Sequence, residues 1–134
     1  MLIKENVAWI YYINEDTRLT EKSGKWMYFF DNRSFVEKIC ERAVENHIVE
    51  QAKHSTANTG VACFYLNYDD IDTHRKIISY FLENNLIKKT KEGRLYDISF
   101  KLDEQTRAGE YGNDFHSKIK LSDFIDLNNA QWLE

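Results

Sequence analysis

Apolar and polar residues alternate along several short runs of the chain, and these runs predict β-strands. The runs are rich in β-branched and aromatic residues, which pack well on a pleated sheet. The predicted strands cover 7–13, 25–30, 48–53, 61–66, 86–89 and 94–101. A tight turn at 90–93 joins the last two strands and predicts a hairpin.

Two longer runs repeat apolar residues every three to four positions and predict amphipathic helices. The first begins at Ser34, which has the spacing of a capping-box N-cap. The second covers roughly 71–84, and either Asp70 or Asp72 is placed to cap it. A short final helix near the C-terminus would be capped by Ser122.

The order of these elements is β-β-α-β-β-α-β-β, followed by the short helix. Consecutive strands interrupted by two amphipathic helices predict an α+β fold, with a curved, mostly antiparallel sheet and the two main helices packed on one face. With 134 residues and 43% hydrophobic content, the chain is long enough for one compact domain over 1–134. The other face of the sheet would be left for a ligand.

The charge balance restricts the classes of partner. The 18 basic and 22 acidic side chains give a net charge of −4, which argues against binding an extended nucleic-acid duplex. A local basic pocket is compatible with this balance. Cys40 and Cys63 lie in apolar runs and are expected to be reduced thiols, as in a cytoplasmic protein. No run approaches the roughly 18 apolar residues of a membrane span, so no membrane partner is predicted.

Basic and hydroxyl-bearing residues occur in three separated stretches where core packing does not explain them. Ammonium and guanidinium groups with nearby hydroxyls suit an anionic group such as a phosphate. Two alternatives stay open, namely Lys25 as a solvated strand end and 53–56 as a polar surface turn. The candidate ligand-binding residues are Lys25, Lys53, Ser55, Thr56, Lys101, Asp103, Thr106, Arg107 and Tyr111.

Recognisable catalytic motifs are absent from the sequence. There is no P-loop, no Rossmann glycine pattern, no H-x-x-x-H and no C-x-x-C, and the four histidines are scattered. Asp97 or Asp103 together with His54 would be the pair to consider for hydrolysis, yet such aspartates are commonly turn or surface residues. The prediction leans against an enzyme and includes no catalytic residue, no metal and no cofactor.

Three short motifs resemble the basophilic-leukaemia-expressed-protein family, whose small domains are assigned to the translation initiation factor 4E-like fold. The likeness covers roughly 22–111 and implies a curved antiparallel sheet backed by helices. That family has no settled activity, so the resemblance implies little about function. The motifs are Gly24-Lys25-Trp26, then Ala52-Lys53 followed by Ser55-Thr56, and Phe100-Lys101 leading into Asp103, Thr106, Gly109 and Tyr111.

Cap-binding proteins of that fold sandwich a methylated guanine between two loop tryptophans. This chain departs from the pattern, because Trp9 and Trp26 lie within predicted strands. A tyrosine or Arg107 would have to stack on a base instead.

The predicted function is that of a small non-enzymatic binding domain. It would recognise a nucleotide, an RNA end or another phosphorylated ligand on the concave face of the sheet. The alternative is a phage or mobile-element interaction protein, which inhibits a host bacterial defence or replication factor by binding it. That alternative rests on the composition, which is small, acidic and rich in Lys, Asn and Ile.

Overall fold

The computed structural model describes residues 1–103 and 119–133, and within them six strands form one antiparallel sheet. Their order across the sheet is β1-β2-β4-β5-β3-β6, and each neighbouring pair is antiparallel. The strands are β1 (Leu2–Glu5), β2 (Trp9–Ile13), β3 (Ser23–Phe30), β4 (Gln51–Ser55), β5 (Gly60–Asn67) and β6 (Lys101–Leu102).

Two helices cross this sheet, α1 at Arg33–Glu45 and α2 at Ile71–Glu83. The predicted cap of α2 is confirmed, since Asp70 Oδ1 accepts a hydrogen bond from the Thr73 amide at 3.2 Å. The predicted cap of α1 is wrong. Asn32 is the N-cap and accepts from the Phe35 amide at 3.0 Å, so the helix begins at the residue before Ser34.

Both helices lie on the same face of the sheet, as the sequence predicts. The ring of Phe64 on β5 contacts those of Tyr80 and Phe81 on α2. On the same face, Tyr28 on β3 contacts Phe35 on α1. The period-two alternation of the strands sends one set of side chains into this core. The buried strand residues are Ile10, Tyr12, Trp26, Phe30, Ala52, His54, Ala62, Phe64 and Leu66.

Two of the predicted strands differ from the structure in their bounds. The predicted strand 7–13 begins at Trp9, because the Asn6 side chain accepts from the Trp9 amide and closes a turn after an additional strand, β1. The predicted strand 48–53 runs later and includes His54 and Ser55. Pairing with Trp9 and Ile10 on β2 keeps these two residues extended, although local sequence favoured a loop.

The predicted hairpin over 86–101 is confirmed only close to its turn at 90–93, where the Gly93 amide donates to the Thr90 carbonyl and the Tyr96 amide donates to the Lys88 carbonyl. Lys89 and Leu95 form an antiparallel bridge across this turn, and beyond it the segment contains no strand until β6 begins at Lys101. The Ile98 amide donates to the Tyr96 carbonyl at 3.0 Å, a bond that bends the chain out of an extended path. As a result Tyr96 is 50% exposed.

Residues 98–100 form backbone hydrogen bonds with the C-terminal segment, a partner that the sequence pattern does not predict. The Phe100 amide donates to the Ile119 carbonyl and the Leu121 amide donates to the Ile98 carbonyl. The 3₁₀ turn Leu121–Asp123 has Lys120 at its N-cap position, so the predicted cap Ser122 is wrong. Instead the amide and hydroxyl of Ser122 both donate to Asp97.

Gly24 allows the short strand β6 to lie against β3. A Cβ atom at this position would come within 2.4 Å of the Phe100 ring and 2.6 Å of the Lys101 carbonyl oxygen. The carbonyl belongs to the backbone, so it has little freedom to move. Glycine at position 24 therefore brings the chain around Lys101 close to β3, beside Lys25.

His74 on α2 is fully buried and joins the helix to the sheet. Its Nδ1 accepts from Trp26 Nε1 at 3.0 Å, and its Nε2 donates to the Tyr68 carbonyl at 2.9 Å. Both ring nitrogens therefore have partners when the ring is neutral. Burial lowers the pKa of His74.

Stability is expected to fall as the pH falls below about 6.5, the ordinary pKa of histidine in an unfolded chain. In that range His74 binds a proton in the unfolded state but stays neutral in the folded state, so acid favours unfolding. Thermal unfolding of wild type should show this loss between about pH 7.5 and pH 5. His74→Gln should flatten the dependence and His47→Asn, at an exposed histidine, should not. Equal flattening by both variants would contradict the role of His74.

Candidate ligand-binding site

The sheet face opposite the helices carries aromatic and cationic side chains. No helix in the described ranges packs on this face, which is reached by the odd-numbered residues of β2, β3, β4 and β5. We call it the open face. Its residues near the centre of the sheet are Trp9, Tyr11, Lys25, Met27, Lys53, Ser55, Val61, Cys63 and Tyr65.

Lys53 lies among three aromatic rings of the open face. Its Nζ atom is 3.9 Å from the ring centroid of Trp9, 5.6 Å from that of Tyr11 and 5.9 Å from that of Tyr65. The strand register explains the arrangement, because Tyr11 is directly opposite Lys53 and Trp9 is opposite Ser55. These contacts have cation–π geometry.

The ammonium of Lys53 has no acidic partner in the described part of the chain. The ion pairs formed within 1–103 and 119–133 all involve other lysines and arginines. An ammonium carries three donors and no acceptor. The aromatic rings attract the ammonium through their faces and provide no oxygen acceptor. The N–H donors of Lys53 therefore remain available to a ligand.

Lys25 and Asp103 form a second, shielded part of the same face. Lys25 Nζ donates to Asp103 Oδ1 at 2.8 Å, and the two side chains are only 12% and 18% exposed. The other carboxylate oxygen accepts from the Ser23 hydroxyl at 2.8 Å. Lys25 Nζ also lies 5.9 Å from the Tyr65 ring, which therefore faces both lysines.

Burial is the main cause of the pKa shifts at this site, because it removes water from the groups that would carry charge. Burial lowers the pKa of Lys53, the nearby charge of Lys25 acts in the same direction, and the Asp103 carboxylate acts in the opposite one. Burial also raises the pKa values of Cys63 and Tyr65, so both groups are held in their neutral forms. The open face therefore presents lysine charge on a neutral aromatic surface.

Ser55 and Thr56 have structural partners. The Ser55 hydroxyl accepts from the Val61 amide at 3.2 Å and closes the turn between β4 and β5. The Thr56 hydroxyl donates to the Val7 carbonyl at 2.8 Å, and the Thr56 carbonyl accepts from Arg33. Of this predicted pair, only Ser55 lies on the open face near Lys53.

The remaining predicted residues divide into two groups. Lys101 lies opposite Lys25 in the β3–β6 pair, so the fold brings Lys25, Lys53, Lys101 and Asp103 to one side of the sheet. Thr106, Arg107 and Tyr111 lie outside the described residues.

The sequence pattern does not identify three aromatic residues of the site, Trp9, Tyr11 and Tyr65. The alternation in 9–13 and 60–67 places them on one face, but it does not indicate which face the helices cover. The signal that could have identified them is a lysine in the strand paired with them. Detecting it requires the register between β2 and β4.

His54 is a core residue, so it does not complete a hydrolytic pair on the open face. Its Nδ1 donates to the Ser55 carbonyl and its Nε2 accepts from the Tyr12 hydroxyl at 3.2 Å. Asp97 accepts from Ser122, and Asp103 lies across the sheet with Lys25. The fold thus separates the residues that the sequence suggested for acid–base chemistry.

A cleft of about 620 Å³ lies at the end of the sheet where β5 leads into α2. It reaches Tyr65, but Lys25 and Lys53 do not line it. Several of its polar groups already serve the fold, since Glu50 pairs with Arg18 and Asp70 caps α2. The cleft is therefore a weaker candidate than the open face, where an ammonium group has its donors available.

Within the described ranges, His, Cys, Asp and Glu side chains form no group of three that could hold a metal ion. No helix in those ranges is long and apolar enough to cross a membrane. Comparisons of the chain with family models, with curated proteins and with solved structures found no match. The described structure is an α+β fold whose open face carries aromatic rings and lysines.

Proposed function

We propose that this protein is a binding domain for a nucleotide, an RNA end or a similar ligand that joins a planar ring to a phosphate. The observation that carries the proposal is the ammonium of Lys53, which lies on aromatic rings and has no acidic partner among the described residues. A phosphate oxygen would accept the hydrogen bonds that this ammonium can donate.

The aromatic side chains suit the other half of such a ligand. Trp9 and Tyr11 are only partly buried, and Phe29 on the same face is 62% exposed. Bases stack on aromatic rings of open sheets with little sequence preference, at about 1–3 kcal/mol per base. The net charge of −4 favours a short ligand over a long polyanion.

The motif resemblance to the basophilic-leukaemia-expressed-protein family bears on the fold and implies little about the ligand. Lys25, Lys53, Lys101 and Asp103 belong to the three motifs, and they come from three separate parts of the chain. We propose on that basis that the domain has a translation initiation factor 4E-like fold. Trp9 lies outside the motifs and would supply the stacking surface in place of a loop tryptophan.

Nucleotide binding is tested by thermal unfolding in the presence of mononucleotides, dinucleotides and short 5′-phosphorylated RNA. Saturating ligand should raise the melting temperature, because it binds only the folded state. Lys53→Met should weaken binding by roughly 10- to 100-fold, the effect of losing a hydrogen bond to a charged group. The matched control is Lys38→Met, an exposed lysine on α1 across the sheet.

Two results would count against the proposal. One is the absence of a thermal shift with every ligand in the series. The other is a shift that Lys53→Met and Lys38→Met leave equally unchanged. The composition-based alternative, a phage protein that inhibits a host factor, stays an expectation from the sequence.

A further inference from the structure

Lys53 has the surroundings of a nucleophilic amine in addition to those of an anion-binding cation. Its Nζ atom lies 3.9 Å from the Trp9 ring centroid and has no carboxylate within 4.0 Å in 1–103 and 119–133. A second ammonium, that of Lys25, faces the same Tyr65 ring and is paired with Asp103 at 2.8 Å. A lysine that is partly removed from water and has no carboxylate in direct contact loses its proton more readily. The free amine is the nucleophilic form.

We propose that Lys53 forms an imine with an aldehyde or ketone that carries an anionic group. The neutral Nζ atom adds to the carbonyl carbon, and both of its protons leave with the carbonyl oxygen as water. A C=N bond replaces the C=O bond, and no atom is oxidised or reduced. This activity goes beyond noncovalent nucleotide binding and does not depend on it.

The open face favours this reaction at Lys53 over other lysines. The three rings displace water from the amine, which opposes hydrolysis of an imine, and they offer stacking surfaces to a planar carbonyl compound. The rings and the Asp103 carboxylate favour the ammonium form, whereas burial and the Lys25 ammonium oppose it. Burial is the largest of the charge-related influences, and it lowers the pKa of Lys53. Lys38, exposed on α1, has no such surroundings.

The test uses pyridoxal 5′-phosphate, a planar aldehyde with a phosphate group, followed by borohydride to trap the imine. Peptide mapping then measures the label at each lysine. At neutral pH and limiting aldehyde, Lys53 should carry several-fold more label than Lys38. The ratio should fall as the pH rises, because exposed lysines then lose their protons as well. This measurement uses wild-type protein, so it is independent of any effect of substitution on folding.

Two variants sharpen the result. Lys53→Arg keeps the positive charge but removes the nucleophilic amine, so the label at this position should disappear while circular dichroism confirms the fold. Trp9→Leu should lower the ratio of label at Lys53 to label at Lys38, because the nearest ring is lost. The proposal is overturned if Lys38 and Lys53 are labelled equally at neutral pH, or if Lys53 alone stays unlabelled. Labelling requires no nucleotide, so a failure of nucleotide binding leaves its outcome unaffected.

Discussion

Trp26→Ala is expected to lower the free energy of unfolding by about 3–5 kcal/mol, the range for removing a fully buried aromatic side chain. Trp26 has no exposed surface, and its ring contacts those of His74, Phe100 and Phe124. The substitution also leaves His74 Nδ1 without its donor in the core. The side chain thus connects β3, α2 and the C-terminal segment, so its loss should weaken all three contacts together.

Urea denaturation followed by circular dichroism measures this effect without relying on tryptophan fluorescence. Trp132→Ala is the comparison variant, since Trp132 is 41% exposed and its loss should cost clearly less than that of Trp26. Trp26→Phe should fall between the two, because it keeps most of the apolar volume but not the hydrogen bond to His74. Similar losses for Trp26→Ala and Trp132→Ala would show that the core is not organised around Trp26.

Asp103→Ala is expected to lower the free energy of unfolding by about 1–3 kcal/mol, between the values for exposed and fully buried ion pairs. The substitution leaves the shielded ammonium of Lys25 without its carboxylate and the Ser23 hydroxyl without its acceptor. An unpaired charge in this position is poorly solvated, because the Lys25 side chain is only 12% exposed. Chemical denaturation of the variant and wild type gives the difference directly.

A double variant separates loss of the pair from loss of packing. Lys25→Met with Asp103→Leu should recover much of the stability, because neither charge is then left alone. The more exposed helical pair Arg33–Glu37 is the control, and Glu37→Ala should change stability by about 0.5 kcal/mol or less. If Asp103→Ala were as mild as Glu37→Ala, the pair would be a surface contact and would not anchor this part of the open face.

Part of the candidate site could be predicted from the sequence. Lys25, Lys53, Lys101 and Asp103 were selected because core packing did not explain them, and the fold places them on one side of the sheet. The aromatic neighbours of Lys53 could not be selected in this way, because each of them also fits an ordinary strand. Their role depends on the pairing of strands that are distant along the chain.

Strand and helix types within 7–84 followed from local periodicity, whereas 86–101 did not. In that segment the alternation of Tyr96, Ile98 and Phe100 suggested a regular strand. The partner of this segment is 119–121, and a bend at Ile98 replaces a continuous ladder of hydrogen bonds. Local propensity could not anticipate this, because the decisive contacts are made by the C-terminal segment.

By itself, the sequence determined that two amphipathic helices and several alternating strands form an α+β protein, since those periodicities depend only on the order of residues. The tertiary structure alone decided which strand face the helices cover. It placed His54 in the core and Lys53 on the open face, although the two residues are neighbours in β4. The physical reason is that antiparallel pairing and helix packing fix the register, and the register determines which groups meet.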